Sequence, residues 1–119
     1  MKIGIIGLGL MGGSFALDIK TPFPNSVVYG IDNSIENLHK SKEIGLIDFI
    51  ISYKDLYKMD LILVAVPVNH SLKLIPKVLD LISSNTLVFD VGSTKQAICE
   101  LLNNHPKRGN YLAAHILLV

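Results

Sequence analysis

The stretch MKIGIIGLGLMGGSFALDIK, residues 1–20, decides the fold, because a short apolar run leads directly into the glycine-rich segment GLGLMG at residues 7–12. The same stretch has features of a secretion signal, since residues 3–17 carry no charge and Lys2 precedes them. A signal peptide predicts nothing about the rest of the chain. A glycine turn between a strand and a helix predicts a specific partner residue downstream.

Length and composition indicate one domain spanning residues 1–119, with half of its residues hydrophobic and a formal net charge of +1. A net charge this close to zero does not indicate the basic surface by which proteins bind nucleic acid. The single cysteine excludes an internal disulfide framework and fits a reducing compartment. No apolar run free of glycines reaches the length of a membrane span. We therefore expect a cytoplasmic domain that binds neither nucleic acid nor a membrane, and we predict no metal site.

Strands and helices are predicted to alternate along the chain. The predicted strands are 2–6, 26–31, 61–66, 86–90 and 111–114, and the predicted helices are 10–19, 34–43, 72–82 and 94–102. Residues 47–57 are predicted to be mostly loop, and Pro76 is expected to kink its helix or delay its start. The alternation predicts an α/β fold with a doubly wound parallel sheet, whose ligand binds at the edge where the strands end.

The glycine-rich segment, called the glycine turn below, has the spacing GxGxxG between a predicted strand and a predicted helix. Gly7 permits a tight turn, Gly9 lets the backbone approach a pyrophosphate, and Gly12 lets the helix pack close to the strand. The N–H groups at the start of the helix are expected to face the anion. The cofactor-binding residues predicted here are Gly7, Leu8, Gly9, Leu10, Met11 and Gly12.

Asp32 is the acidic residue that a dinucleotide-binding turn requires, since it lies twenty positions after Gly12 and directly follows the second predicted strand. Its carboxylate is expected to accept hydrogen bonds from the adenosine ribose and to repel a 2′-phosphate. Because the next residues, Asn33 and Ser34, are uncharged, NAD is favoured over NADP. The alternative role for Asp32 is that of a turn or helix-capping residue. A secretion signal explains neither feature, so the cofactor turn is strongly favoured over it.

The segment VAVPVNH, residues 64–70, ends the most apolar predicted strand. Val66 and Pro67 are predicted to bind the cofactor there, with backbone groups facing its nicotinamide half. A simple strand terminator would have the same sequence, so both interpretations stay open.

Two further segments follow predicted strands at the same edge. In DVGSTK, residues 90–95, Ser93 and Gln96 form the capping-box pattern of a helix start, which is compatible with a functional role. His115 follows the last predicted strand, where it faces either a ligand or the core. Surface positions are predicted for His39, His70, His105, Lys107 and Arg108.

Over essentially its whole length the chain resembles the nucleotide-binding half of prephenate dehydrogenase, including its arogenate-using relatives. The resemblance is carried by GLGLMGGS, Asp32, LILVAVPV, DVGSTK and the strand leading to His115. It implies a Rossmann-type domain in an enzyme that uses NAD to convert prephenate, or arogenate, by oxidative decarboxylation in tyrosine biosynthesis. It also implies that His115 takes the substrate's hydroxyl proton and that Ser93 hydrogen-bonds near that hydroxyl.

The chain departs from the family pattern in two respects. The family histidine normally precedes a proline and a glycine-containing turn, whereas ILLV follows His115 here. The helical C-terminal half, which supplies most of the dimer interface and the cationic groups for the substrate, is absent from these 119 residues. We therefore expect the cofactor-binding part of a homodimeric enzyme, inactive alone. Alternatives are a fragment of a β-hydroxyacid or 6-phosphogluconate-type dehydrogenase and a non-catalytic NAD-binding module.

Overall fold

The computed structural model describes residues 1–91, 102 and 104–113. Strands and helices alternate along this part of the chain, as the sequence predicts. The strands are β1 (Lys2–Ile6), β2 (Val27–Ile31), β3 (Phe49–Ile50), β4 (Leu61–Val64), β5 (Leu87–Asp90) and β6 (Tyr111–Ala113). The helices are α1 (Leu10–Ile19), α2 (Ile35–Glu43) and α3 (Val68–Leu81), with 3₁₀ helices at Tyr53–Lys58 and Arg108–Asn110.

The described strands form one sheet in the order β3-β2-β1-β4-β5-β6, and every neighbouring pair is parallel. The chain runs outward from β1 to β3 and then crosses to β4 on the other side of β1. Loops after β1 and β4 therefore diverge, which leaves a crevice at the carboxyl ends of these strands. The predicted doubly wound, Rossmann-type fold is confirmed.

The sheet is buried on both faces, because successive side chains of a strand point to opposite sides. In β1, Ile3 and Ile5 join one hydrophobic cluster with Ala16 of α1. Ile6 joins a second cluster with Ile75 of α3. This arrangement explains the continuous apolar runs of the central strands and fixes the ends of β1 and β4 at the crevice.

Local sequence signals predict most element boundaries closely. Helix α1 has the predicted bounds, and α2 begins after Ser34, whose Oγ accepts the N–H of Asn37 at 3.1 Å. Gly45, just beyond α2, has a φ of +80°, which favours glycine. Strands β2 and β5 each begin one residue later than predicted, and β4 ends at Val64 rather than at residue 66.

Helix α3 shows that the expected delay at Pro76 is wrong. The helix begins at Val68, where the N–H groups of His70 and Ser71 both donate to the carbonyl of Pro67. Pro76 lies inside the helix, where its missing N–H removes one backbone hydrogen bond without preventing the start upstream. A kink at Pro76 stays a prediction, and nearly all of the predicted helix 94–102 lies outside the described residues.

The prediction of loop for residues 47–57 is wrong in part, since β3 and the first 3₁₀ helix lie there. Strand β3 is only two residues long and exposed, and it exists because it pairs with Tyr29 and Gly30 of β2. A capping box joins Ser52 and Asp55 at the start of the 3₁₀ helix. This serine–aspartate spacing was the available sequence signal.

His105 and Lys107, which are predicted to lie at the surface, are half-buried. His105 is 13% exposed, with Nε2 at 2.7 Å from Asp80 Oδ1 and Nδ1 accepting the N–H of Lys107 at 3.0 Å. Since Nδ1 accepts, the ring proton is on Nε2 and is donated to Asp80. The Lys107 ammonium donates to the carbonyl of Ile82. His39 and His70 are exposed, as predicted.

Within the described ranges, no helix has the length and apolar character needed to cross a membrane. The same ranges contain no group of three or more His, Cys, Asp or Glu side chains placed to hold a metal ion.

The Thr86 side chain links the residue before β5 to the segment before β4 by a hydrogen bond. It is fully buried, its hydroxyl donates to the carbonyl of Met59 at 2.7 Å, and Ser83 Oγ lies 3.1 Å away. Thr86→Val is therefore expected to lower the free energy of unfolding by about 1–2 kcal/mol, because the buried carbonyl of Met59 and the half-buried hydroxyl of Ser83 lose their partner. Chemical denaturation measures the change. Thr86→Ser keeps the hydroxyl, and an equal loss in both variants would contradict this role.

Candidate functional site

The glycine turn lies at the junction of β1, β2 and β4. Gly7 has a φ of +95°, a conformation that side-chain-bearing residues rarely adopt, and its N–H donates to the carbonyl of Ile31 at 2.8 Å. A Cβ on Gly7 would lie 2.5 Å from the carbonyl oxygen of Ala65. Both backbone conformation and space therefore require glycine here.

Gly9 and Gly12 are required for different reasons. A Cβ on Gly12 would lie 1.8 Å from the carbonyl oxygen of Gly7, so the start of α1 packs directly on the backbone of the turn. A Cβ on Gly9 would meet nothing within 4 Å. Gly9 is the N-cap of α1 and has no side chain there, so its backbone borders open space beside the free N–H groups of the helix start.

A cavity of about 430 Å³, called the main cavity below, opens at the crevice between the diverging loops. It brings together five of the residues predicted to bind the cofactor, namely Gly7, Gly9, Asp32, Val66 and Pro67. Leu8 and Leu10, also predicted to bind the cofactor, do not line this cavity. Leu8 is 7% exposed and packs in the core with Ile3, whereas Leu10 is 87% exposed beside a second cavity between α1 and α2.

Asp32 hydrogen-bonds to the backbone on both sides of its carboxylate. Oδ2 accepts the N–H of Leu8 at 2.7 Å, and Oδ1 accepts the N–H of Ser34 at 2.8 Å. Asp32 thus has the turn-forming role considered as its alternative. A carboxylate oxygen accepts more than one hydrogen bond, so ribose hydroxyls remain compatible with these contacts.

Tyr53 borders the main cavity and was missed by sequence reasoning. Burial raises the pKa of its phenol, and the negative charge of Asp32 raises it further. The hydroxyl therefore stays protonated at neutral pH as a hydrogen-bond donor. Its 3₁₀ helix is held by Asp55, whose pKa is lowered chiefly by the backbone N–H of Ser52.

Helix α3 contributes three basic side chains to the same cavity. His70, Lys73 and Lys77 recur at helical spacing and line it, and all three are exposed. Lys73 and Lys77 form no ion pair within the described part of the chain. Two lysines against the one charge of Asp32 leave the cavity walls net positive, which suits a ligand with phosphates. The helical spacing was visible in the sequence, but the direction of this face was not.

Ser93 and His115, the residues predicted to be catalytic, lie outside the described residues, and their roles stay predictions. The strands before them are described. Asp90, the last residue of β5, pairs with Ala113, the last residue of β6. Both strands therefore end beside each other at the edge that carries the main cavity.

A doubly wound parallel sheet, a glycine turn opening a helix and an acidic residue at the end of the adjacent strand define a nucleotide-binding α/β domain. The family model described as prephenate dehydrogenase, nucleotide-binding domain, matches residues 15–118. The chain belongs to this family.

Two curated relatives extend the match through the sequence. The chain is 38% identical to the prephenate dehydrogenase of Lactococcus lactis over 105 residues, which cover 86% of this chain and 29% of the relative. It is 33% identical to that of Bacillus subtilis over 118 residues, covering 93% of this chain and 31% of the relative. The chain thus spans less than a third of the length of either protein.

Solved structures give the same result. Prephenate dehydrogenase from A. aeolicus, in complex with hydroxyphenyl propionate and NAD+, superimposes with a TM-score of 0.83 and 26% identity, covering 95% of this chain and 40% of that one. Synechocystis arogenate dehydrogenase superimposes with a TM-score of 0.74 and 26% identity, and the match covers 85% of this chain and 37% of that one. A 3-hydroxyisobutyrate dehydrogenase from Mycobacterium tuberculosis superimposes with a TM-score of 0.74 and 18% identity, covering 94% of this chain and 38% of that one. At this identity the likeness shows the fold alone. The β-hydroxyacid interpretation therefore has support from the fold only.

Proposed function

We propose that this chain is the NAD-binding part of a prephenate dehydrogenase, which converts prephenate to 4-hydroxyphenylpyruvate by oxidative decarboxylation. The observation that carries the proposal is the main cavity, bounded by the open backbone of Gly9 and the carboxylate of Asp32, in a chain of this family. The relatives include enzymes named for prephenate and for arogenate. Prephenate or the closely similar arogenate is therefore the proposed substrate class.

The residues of the cavity fit a dinucleotide. Any side chain on Gly9 would project from the turn into unoccupied space, so glycine leaves room for a phosphate group against the backbone. The N–H groups at the start of α1 bind such an anion, and Lys73 and Lys77 add positive charge. Asp32 accepts hydrogen bonds from the adenosine ribose, and Val66 and Pro67 lie toward the nicotinamide half.

The proposed chemistry divides between the cofactor and the chain. When bound, NAD would supply the acceptor for the hydride that leaves the substrate carbon bearing the hydroxyl. His115 takes the proton of that hydroxyl, and Ser93 hydrogen-bonds near it and orients the substrate. Both roles rest on the resemblance to the family. Loss of carbon dioxide then leaves an aromatic ring.

The chain spans 29% and 31% of its curated relatives, and we propose that by itself it binds NAD without turning over prephenate. We further propose a cytoplasmic protein that acts, with the remainder of the family's length, as a homodimer. A non-catalytic NAD-binding module is the second candidate, because the main cavity brings together residues assigned to the cofactor. An assay of prephenate turnover by this chain joined to the remaining length of a relative separates the two candidates. Turnover supports the dehydrogenase, and its absence supports the binding module.

Calorimetric titration of the 119-residue chain with NAD and NADP tests the cofactor assignment. We expect saturable binding of NAD and at least roughly tenfold weaker binding of NADP, because a 2′-phosphate would lie close to the charge of Asp32. Circular dichroism provides the control for folding. A folded chain that binds neither dinucleotide contradicts the proposed function, and equal affinities contradict the preference for NAD.

A further inference from the structure

The carboxylate of Asp32 connects the glycine turn to the end of β2. Leu8 donates its N–H to Oδ2 at 2.7 Å, and the preceding residue, Gly7, donates its own to the carbonyl of Ile31 at 2.8 Å. Two consecutive residues of the turn are thus held by two consecutive residues at the end of the strand. The bond from Leu8 has a carboxylate as its acceptor, which makes it stronger than the bond from Gly7 to a neutral carbonyl.

We infer that Asp32 is a positioning residue for phosphate binding, because its carboxylate fixes Leu8 and thereby the backbone of the glycine turn against β2. The inference rests on the proposed function and extends it. Asp32 is expected to determine the affinity of the diphosphate group as well as that of the ribose. A single side chain then couples the two recognition steps.

The direction of the Leu8 N–H explains how this coupling operates. Because the protein itself accepts this hydrogen, Leu8 does not donate to the ligand, and the donors left for an anion are those from Gly9 onward at the start of α1. The first backbone bond within this segment runs from the N–H of Gly13 to the carbonyl of Gly9, at 2.9 Å. The position of these free donors therefore depends on the residue that precedes them.

An asparagine cannot reproduce the contacts of Asp32, although it has the same shape. The carboxylate uses one oxygen for Leu8 and the other for Ser34. An amide offers one oxygen, and its NH₂ group would face the remaining N–H donor. Asp32→Asn therefore cannot hold both the turn and the start of α2, and it weakens the bond to Leu8 in either orientation, because an amide oxygen is a weaker acceptor than a carboxylate.

Two probes separate the ribose contact from the positioning effect. ADP carries the ribose hydroxyls and the diphosphate, whereas 2′,3′-dideoxy-ADP carries the diphosphate without those hydroxyls. In the wild-type chain, ADP is expected to bind more tightly. In Asp32→Asn, calorimetry is expected to show weaker binding of both, with a roughly tenfold loss for dideoxy-ADP. Unchanged affinity for dideoxy-ADP would mean that Asp32 acts through the ribose alone, which overturns the inference.

Asp48→Asn is the matched control. Like Asp32, Asp48 accepts a backbone N–H, that of Val28 in β2 at 2.8 Å, but it lies at the opposite end of the strand and borders neither cavity. We expect it to lower the unfolding midpoint while leaving the affinity for both probes unchanged. An equal loss of dideoxy-ADP affinity in this variant would indicate general loosening and would overturn the positioning role.

A measurement on the unliganded chain makes the inference testable apart from the proposed function. Amide exchange, followed by NMR, is expected to accelerate at Leu8 in Asp32→Asn more than in the rest of β1. If that variant does not fold, the Leu8 amide of the wild-type chain should exchange more slowly than the free amides at the start of α1, because its hydrogen is donated to Asp32. A Leu8 amide that exchanges as fast as those free amides refutes the contact, whereas failure of the wild-type chain to bind NAD or ADP refutes the proposed function.

Discussion

Gly12→Ala is expected to destabilise the domain by about 3 kcal/mol or more, a large part of the stability of a typical domain. The added Cβ would lie 1.8 Å from the carbonyl oxygen of Gly7 and 3.0 Å from its carbonyl carbon. These are backbone atoms of a residue held by its own hydrogen bond to Ile31. No side-chain rotation relieves the overlap, so either α1 or the glycine turn has to move. Chemical denaturation followed by circular dichroism measures the loss.

Gly13→Ala provides the control, since Gly13 is the next residue of the same helix. A Cβ there would meet Leu46 Cδ1 at 3.6 Å, an ordinary contact. Alanine is the better helix former by roughly 1 kcal/mol, so this variant is expected to be as stable as the wild type or more so. Similar denaturation midpoints for the two variants would show that the contact between α1 and the turn tolerates a methyl group.

The parts of the fold that the sequence predicts well are those fixed by local constraints. Helix α1 has the predicted bounds because the glycine turn begins it, and α2 is set by the cap at Ser34 and by Gly45. The apolar β1 and β4 need burial on both faces, which the composition of these strands alone indicates. In each case the residue type restricts the backbone or its environment directly.

The features that the sequence does not predict depend on contacts between segments that are far apart in the chain. Strand β3 exists through its pairing with β2, and a two-residue run contains too little pattern to reveal it. His105 is half-buried and contacts Asp80, 25 positions away. At the site, Tyr53 and Lys73 reach the main cavity only because their helices pack beside the crevice. Sequence spacing predicts a face of a helix without indicating what that face meets.

Asp32 combines both cases. Its type and position follow from the spacing of a dinucleotide-binding turn, and the structure places it at the main cavity. Its bond to Leu8 joins residues 24 positions apart and depends on how closely the turn approaches β2. The sequence therefore predicts a residue for the ribose, while its contact with the turn is evident only from the folded chain.

Gly9→Ala is expected to weaken NAD binding about a hundredfold while it changes the unfolding free energy by about 1 kcal/mol or less. Gly9 has a φ of −72°, which any residue adopts, and an added Cβ would meet no protein atom within 4 Å. The methyl group would therefore occupy only the space proposed for the diphosphate, and it would displace the anion from the N–H groups of α1. Calorimetry with NAD and chemical denaturation measure the two quantities separately.

Gly109→Ala is the matched control for this substitution, because a Cβ on Gly109 also meets nothing within 4 Å and the residue borders neither cavity. Gly109→Ala is expected to preserve NAD affinity. If Gly9→Ala also bound NAD with wild-type affinity, the diphosphate would have to lie away from the turn. Gly12→Ala loses stability because its methyl group overlaps the protein, whereas Gly9→Ala loses affinity because its methyl group overlaps the ligand. Opposite results in the two assays therefore assign one glycine to folding and the other to binding.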